Sequence, residues 1–288
     1  MDNKNLTVEK KPVMFRVART KRETPDHVTL FFNGNIQFSP GQFVMLWIPG
    51  LDEKPYTISY HGPETFGITV EAKGRFSKKA ALMKQGDLLG IRGPFGNGFN
   101  TSPMDRVCVV AGGCGTAPVA PLIDMLGNDI TLIQGARSKD LLLFRDRYPS
   151  LNGQYCTDDG SFGHKGFVTT LLEQAISRTL FDIVYACGPE IMMKRVFEIC
   201  EKEKIPCQVS LERYMRCGFG ACGACVCGAE RVCIDGPVFN SKKLRQMDDF
   251  NRRALLKSGA EVPLSTYASW RCGENSPGNS LSIPRNIK

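Results

Sequence analysis

The chain has 288 residues, which at about 150 residues per domain predicts two domains and room for a small third. Hydrophobic residues at 42% and charged residues at 23% are ordinary globular values, and no apolar run approaches the roughly 18 residues a spanning helix needs, so a membrane-spanning or wholly disordered chain is excluded. The 37 Lys and Arg against 29 Asp and Glu give +8, but these charges are spread without a block of like sign and argue little for nucleic acid.

Met1 to Lys11 is polar, with no apolar stretch of a secretory signal, so a cytoplasmic protein with reduced thiols is expected. Up to about Thr101 the sequence reads as short strands, Phe15 to Thr20, His27 to Phe32, Gln42 to Ile48, Tyr56 to Tyr60 and Phe66 to Ala72, separated by Gly, Pro, Asn and Asp. Such spacing predicts an antiparallel β-barrel or sandwich. One helix, Ser77 to Met83, interrupts it, with Ser77 as the expected N-cap, before the turn at Gly86-Asp87.

After Asp105 strand and helix alternate: strand Arg106 to Ala111, helix Ala117 to Leu126, strand Ile130 to Gln134, helix Asp140 to Arg147, strand Gly153 to Thr157, helix Gly166 to Ile176, strand Phe181 to Cys187 and helix Glu190 to Lys202. Cys207 to Leu211 is expected to close the sheet. This is the pattern of a doubly wound parallel α/β domain. The expected division is 12–102 for the barrel, 103–211 for the α/β domain, 212–240 for a cysteine segment and 241–288 for a C-terminal extension, with the first boundary near Ser102-Pro103-Met104.

Five of the twelve cysteines, Cys217, Cys222, Cys225, Cys227 and Cys233, fall within seventeen positions. The spacing C-x4-C-x2-C, followed by x7-C, is that of plant-type [2Fe-2S] proteins. Gly218, Gly220, Ala221, Gly223 and Ala224 leave room for the backbone to approach sulfide. Cys217, Cys222, Cys225 and Cys233 are the expected ligands, with Cys227 spare. Four thiolates also suit structural zinc, but a glycine-rich x4 gap is unusual in zinc knuckles.

Two further groups of residues suggest nucleotides. Lys54-Pro55-Tyr56-Thr57 offers a cation for a diphosphate, a ring to cover an isoalloxazine and a hydroxyl to meet a ring nitrogen. Val70-Glu-Ala-Lys-Gly-Arg-Phe-Ser77 opens through Gly74 onto a helix start, where backbone N–H groups can hold phosphate. Gly112-Gly113-Cys114-Gly115-Thr116-Ala117-Pro118 joins a strand to a helix by the logic of a dinucleotide loop, and Cys187-Gly188-Pro189 ends a later strand at the edge where such sheets bind ligands. Arg137 and Ser138 suit a 2′-phosphate, whereas Asp158 or Asp159 suits a ribose hydroxyl, leaving NAD and NADP both open at this point.

The order K-P-Y-T, G-x-x-S, G-D, G-P-x-G, G-G-x-G-x-A-P and C-G-P-x-x-M resembles the ferredoxin-NADP reductase superfamily. With the cysteine segment and Val232-Cys-Ile-Asp-Gly-Pro-Val-Phe239 added, residues 12 to 240 are similar to the branch of dihydroorotate dehydrogenase B electron-transfer subunits. The resemblance implies FAD held by Lys54, Pro55, Tyr56, Thr57, Val70, Gly74, Phe76 and Ser77. It implies a nicotinamide nucleotide, NAD for this branch, bordered by Gly112, Gly113, Gly115, Pro118, Cys187 and Gly188, with Thr57 and Cys187 as candidate catalytic residues. It further implies an FMN-containing dihydroorotate dehydrogenase catalytic subunit as partner in a heterotetramer serving pyrimidine (UMP) biosynthesis. Lys54 replaces the usual Arg and Phe76 a common Gly, and Ser241 to Lys288 exceeds the pattern and reads as a partner-docking extension.

Alternatives at this stage are the same relay serving another partner, such as the small subunit of an NADH-dependent ferredoxin-NADP reductase or sulfide dehydrogenase or a hydrogenase diaphorase subunit, and a non-catalytic zinc-stabilised module. An Asp often stands at the position of Cys217 in the first of these groups, by resemblance.

Overall fold

A computed structural model describes residues 11–102 and 104–271. Residues 1–10 of the polar N-terminal stretch, Pro103 at the expected boundary, and 272–288 of the extension lie outside the described residues. The first unit is a closed six-stranded barrel: β1 (Val13–Arg22), β2 (His27–Asn33), β3 (Phe43–Ile48), β4 (Asp52–His61), β5 (Thr65–Glu71) and β6 (Leu88–Phe95), in the order β1-β2-β5-β4-β3-β6. Its core centres on Phe15, Phe32 and Phe66, with Phe15 edge-on to Phe66 at 5.4 Å and Phe32 stacked on Phe66 at 5.2 Å. Each fully buried aromatic contributes about 1.5–3 kcal/mol by leaving water.

Five of these strands coincide with expected ones, but β6 was not expected, because Gly90, Gly93 and Pro94 read as turn residues. Pairing on both sides overrides that local signal: β6 is antiparallel to β1 and to β3 and thereby closes the barrel. A side chain at Gly90 has no room, since a Cβ there would stand 2.5 Å from Trp47 Cε3. The barrel helix, α1 (Arg75–Ala81), is capped by Gly74 and not by Ser77, which lies one turn in and whose Oγ accepts hydrogen bonds from the Lys73 and Gly74 N–H groups, each at 3.0 Å.

The second unit follows as β7 (Val107–Gly112), α2 (Thr116–Leu126), β8 (Ile130–Ala136), β9 (Asn152–Thr157), β10 (His164–Lys165), α3 (Val168–Ile176), β11 (Ile183–Cys187), α4 (Glu190–Lys202) and β12 (Cys207–Ser210). Alternation along the buried β7 divides its faces: Val107, Val109 and Ala111 pack with Val119, Leu122 and Ile123 of α2, while Cys108 and Val110 face α3 and α4. Helices thus cover both faces of a parallel sheet, as expected.

The helix expected over Asp140 to Arg147 is absent; Lys139–Leu141 and Arg145–Arg147 are single 3₁₀ turns separated by Phe144 at φ 61°. Gln134 Nε2 takes the Leu143 carbonyl at 2.5 Å, a group that an α-helix would have used internally. Leu143 and Phe144 then pack against Ala117 and Ala120.

The cysteine segment contains β13 (Val226–Cys227), β14 (Glu230–Arg231) and β15 (Val238–Asn240), followed by α5 (Ser241–Leu244), β16 (Arg253–Leu255), β17 (Glu261–Pro263) and α6 (Leu264–Arg271). β12 does not close the sheet. β15 pairs with it antiparallel, giving the order β10-β9-β8-β7-β11-β12-β15. No helix among the described residues is long and apolar enough to cross a membrane.

Candidate functional site

Three segments converge where the barrel meets the sheet. β4 carries Lys54 to Thr57, all half-buried, and α2 packs across this strand. Tyr56 stacks on Phe76 of α1 with ring centroids 6.2 Å apart. Lys54 Nζ is held by Asp52 at 2.6 Å and lies 5.3 Å over the Tyr214 ring, so its charge is shared with a carboxylate. Val70 is buried in the barrel, leaving Gly74 and Ser77 at the start of α1. The first turn of α1 holds no acidic side chain, and no atom lies within 4 Å of a Cβ built on Gly74. Charge and space there fit a phosphate, and the ring pair fits a flavin beside it.

The two glycine motifs of the sheet meet directly. A Cβ on Gly115 would stand 2.3 Å from the Cys187 carbonyl oxygen and 2.6 Å from Gly188 Cα, so only glycine lets the β7–α2 loop lie on the end of β11. Gly112 and Gly188 lie side by side under Met192, and Pro118 is in the first turn of α2. Cys187 Sγ is buried and 3.7 Å from the Ser210 carbonyl. Burial pushes its pKa up to about 12, with the Glu212 carboxylate adding to the shift, so it is a neutral thiol. Cys114, between Gly113 and Gly115 on the same loop, is exposed. Nearby, Asp158 N–H donates to Ala136 O at 3.1 Å and Asp159 is bound to Ser161 at 2.6 Å, while Arg137 pairs with Asp26 at 3.7 Å.

The cysteine loop places its sulfurs as two pairs. Cys217 interacts with Cys222, and the backbone N–H groups of Phe219, Cys222 and Ala221 lower its pKa against the opposing effect of burial. Cys233 N–H donates to Cys225 Sγ at 3.4 Å, and Gly220 N–H donates to Cys233 Sγ at 3.2 Å. Hydrogen bonding from Cys233 lowers the Cys225 pKa. Gly218, Gly220 and Gly223 all have positive φ, which turns the loop's N–H groups toward sulfur. Two pairs of thiolates under inward N–H donors fit a two-iron cluster, although among the described residues no three His, Cys, Asp or Glu side chains meet around a single ion-sized point. Cys227 points elsewhere: it is fully buried, accepts from Arg213 Nη2 at 3.2 Å, and burial raises it to about 11.

Several residues that position these segments were not singled out by the sequence reading. Arg92 of β6 binds both carboxylate oxygens of Glu53 at 2.6 and 2.5 Å and donates to the Cys217 carbonyl at 2.6 Å. Arg213, almost wholly buried, pairs with Glu190 at the start of α4. Asn97 Nδ2 donates to the carbonyls of Ile234 and Asp235 at 3.0 and 3.2 Å, joining the G-P-x-G-N segment to Asp235-Gly236-Pro237. An Arg inside an otherwise apolar strand was the available signal for Arg92. Arg147 ties the units together through Ser59 O at 2.8 Å, Asp124 at 2.5 Å and the Tyr60 ring at 3.8 Å.

A closed barrel beside a parallel nucleotide-type sheet, with a cysteine loop pinned to both, defines an electron-transfer flavoprotein fold of the ferredoxin-NADP reductase kind. The solved structure of an NADH-dependent reduced ferredoxin-NADP oxidoreductase matches with a TM-score of 0.73 and 30% identity over 82% of this chain and 90% of that one. A ferredoxin NADP+ reductase from Neisseria gonorrhoeae shares the fold with a TM-score of 0.57 and 22% identity, over 67% of this chain and 91% of that one. Residues 109–198 match the oxidoreductase NAD-binding domain, and 212–245 the iron-sulfur cluster binding domain of dihydroorotate dehydrogenase B. The probable dihydroorotate dehydrogenase B (NAD(+)) electron transfer subunit of Methanocaldococcus jannaschii is 43% identical over 258 residues, 88% of this chain and 98% of that protein. That of Thermococcus kodakarensis is 44% identical over 217 residues, 74% and 89% respectively. The chain belongs to the family of dihydroorotate dehydrogenase B electron-transfer subunits.

Proposed function

We propose that the chain passes electrons between an FMN-containing dihydroorotate dehydrogenase catalytic subunit and NAD, as one member of a cytoplasmic heterotetramer serving pyrimidine biosynthesis. Nicotinamide exchanges two electrons as hydride and a [2Fe-2S] cluster takes one at a time, and bound FAD supplies the conversion between them. Cys217, Cys222, Cys225 and Cys233 hold the cluster. Tyr56 and Phe76 offer ring faces to the flavin, Lys54, Gly74 and Ser77 serve its phosphates, and Pro55 and Val70 shape the strands that carry them. Gly112, Gly113, Gly115, Pro118 and Gly188 border NAD, and Thr57 and Cys187 are the side chains assigned to the reacting rings. The working division is a barrel at 12–102, a nucleotide domain at 103–211, a cluster segment at 212–240 and an extension from 241. No residue here acts as base toward dihydroorotate, which is the partner's chemistry.

The observation that carries this reading is the pairing of the four sulfurs in a loop whose first member, Cys217, is bound through Arg92 to Glu53 on β4, the strand that itself carries Lys54–Thr57. The test is an anaerobic visible spectrum with iron and flavin assays, before and after NADH and NADPH, followed by reconstitution with the catalytic subunit. Flavin and iron-sulfur absorption bleached by NADH, and dihydroorotate-dependent NAD reduction in the complex, are the expected results. A colourless zinc protein, or bleaching without any coupling to dihydroorotate, would overturn it.

A further inference from the structure

The segment after the cluster was expected to dock a partner, yet its last described helix turns inward. α6 lies beyond residue 245, where the match to the iron-sulfur family model ends. Tyr267 is 3% exposed. Trp270 meets Tyr214 edge-on at 5.6 Å, and the opposite partner of Tyr214 is the Lys54 ammonium of β4. Arg271, the last residue of α6, forms an ion pair with Glu212. The helix is therefore seated against the first residues of the cluster segment and, through Tyr214, against the flavin strand.

Glu212 stands at a junction. It is two residues past the end of β12, whose Ser210 carbonyl faces the Cys187 thiol. Burial raises the pKa values of Tyr56 and Cys187, and the Glu212 charge adds to both shifts, so this carboxylate faces one residue of the flavin motif and one of the nicotinamide motif. The pair is open to solvent, with the Glu212 side chain 58% and the Arg271 side chain 40% exposed, and Arg271 holds the Glu212 carboxyl below the usual range. The adjacent Arg213 is committed to Glu190 and Cys227, which leaves Arg271 as the guanidinium bonded to this carboxylate. An anion beside a flavin opposes the negative charge that the ring gains on reduction, and a paired cation removes that opposition.

We propose that α6 forms a wall of the cofactor cleft and that Arg271 is a positioning residue, neutralising Glu212 next to the flavin so that the flavin is both held more tightly and reduced more readily. The inference rests on the proposed function in assuming that FAD occupies the cleft at Tyr56.

The test is a spectroscopic redox titration of bound FAD, with its dissociation constant measured by flavin fluorescence, in the wild-type complex, Arg271→Gln, Arg271→Lys and the double variant Glu212→Gln/Arg271→Gln. Arg271→Gln is expected to lower the midpoint potential and weaken FAD by about two- to fivefold, the scale of a solvent-exposed ion pair. Arg271→Lys and the double variant are expected to stay close to wild type, the first because the cation is kept and the second because the carboxylate is gone. An unmoved potential in Arg271→Gln, or a double variant as impaired as the single, would overturn the proposal and leave Arg271 a helix anchor. Wild-type protein that binds no FAD would instead overturn the functional reading, and this inference with it.

Discussion

Arg92 and Cys217, 125 positions apart in sequence, are joined by a 2.6 Å hydrogen bond from a barrel guanidinium to the carbonyl of the first cysteine of the cluster loop. The other edge of the same guanidinium is occupied by Glu53, so one planar group fixes the distance between β4 and the loop. Arg92→Leu is expected to cost about 2–4 kcal/mol, below the full range for a broken buried pair because the Glu53 side chain keeps 21% of its exposure. Arg92→Lys keeps the charge but not the fork. Iron-to-flavin ratio and thermal denaturation of the two variants check this: iron loss in the order Leu, then Lys, then wild type is the expected outcome.

The cysteines divide by what their sulfurs face. Cys222→Ser or Cys225→Ser is expected to abolish the cluster and leave FAD bound, since the flavin segments lie on β4 and α1. Cys227→Ser is expected to keep the iron, because its sulfur faces Arg213. Full iron content in Cys225→Ser, with loss in Cys227→Ser, would reverse the assigned ligand register.

Gly115→Ala places a methyl against the Cys187 carbonyl, which must move. At about 1–3 kcal/mol of overpacking strain, the apparent affinity for NADH is expected to fall by roughly 10- to 100-fold. Absorption of the cluster should be unchanged. A normal KM for NADH would show that this contact plays no part in the nucleotide site.

His27 offers a test by pH. It is 3% exposed, its Nδ1 is 2.7 Å from Thr24 Oγ1, and burial lowers its pKa below 6.5 even though Glu71 and Asp26 pull the other way, with Lys73 and Arg137 reinforcing the shift. The folded state therefore binds the proton less well than the unfolded chain. Stability from this group is present above about pH 6.5 and falls as the pH drops below it, by at most about 1.4 kcal/mol per unit. Melting temperatures between pH 7 and 5 should fall more steeply in the wild type than in His27→Gln.

Most of the architecture could be read from periodicity, because the strands of the sheet are apolar and punctuated by glycine, and helix Glu190 to Lys202 matches residue for residue. What escaped depended on distant partners. β6 was hidden because its glycines look like turns until Trp47 and two neighbouring strands are present. The 140–147 segment was misread because its composition suits a helix, while Gln134, on another strand, claims its carbonyl. At the site, spacing marked the cysteines, but the residues that hold them, Arg92, Glu53, Asn97 and Arg213, carry no local motif. Their roles arise only when segments more than a hundred residues apart, or on different elements, are brought together.

β15 gives the cluster a second duty. Val238–Asn240 completes the nucleotide sheet by pairing with Cys207–Ser210, and it is delivered there by the turn that follows Cys233. If iron is scarce during synthesis, this strand loses the structure that aims it, and β12 is left with an open row of N–H and C=O groups able to recruit strands from other chains. Iron supply then decides solubility as well as colour: protein made under iron limitation is expected to sediment as oligomers, and iron-sulfur reconstitution before refolding should return it to a discrete species.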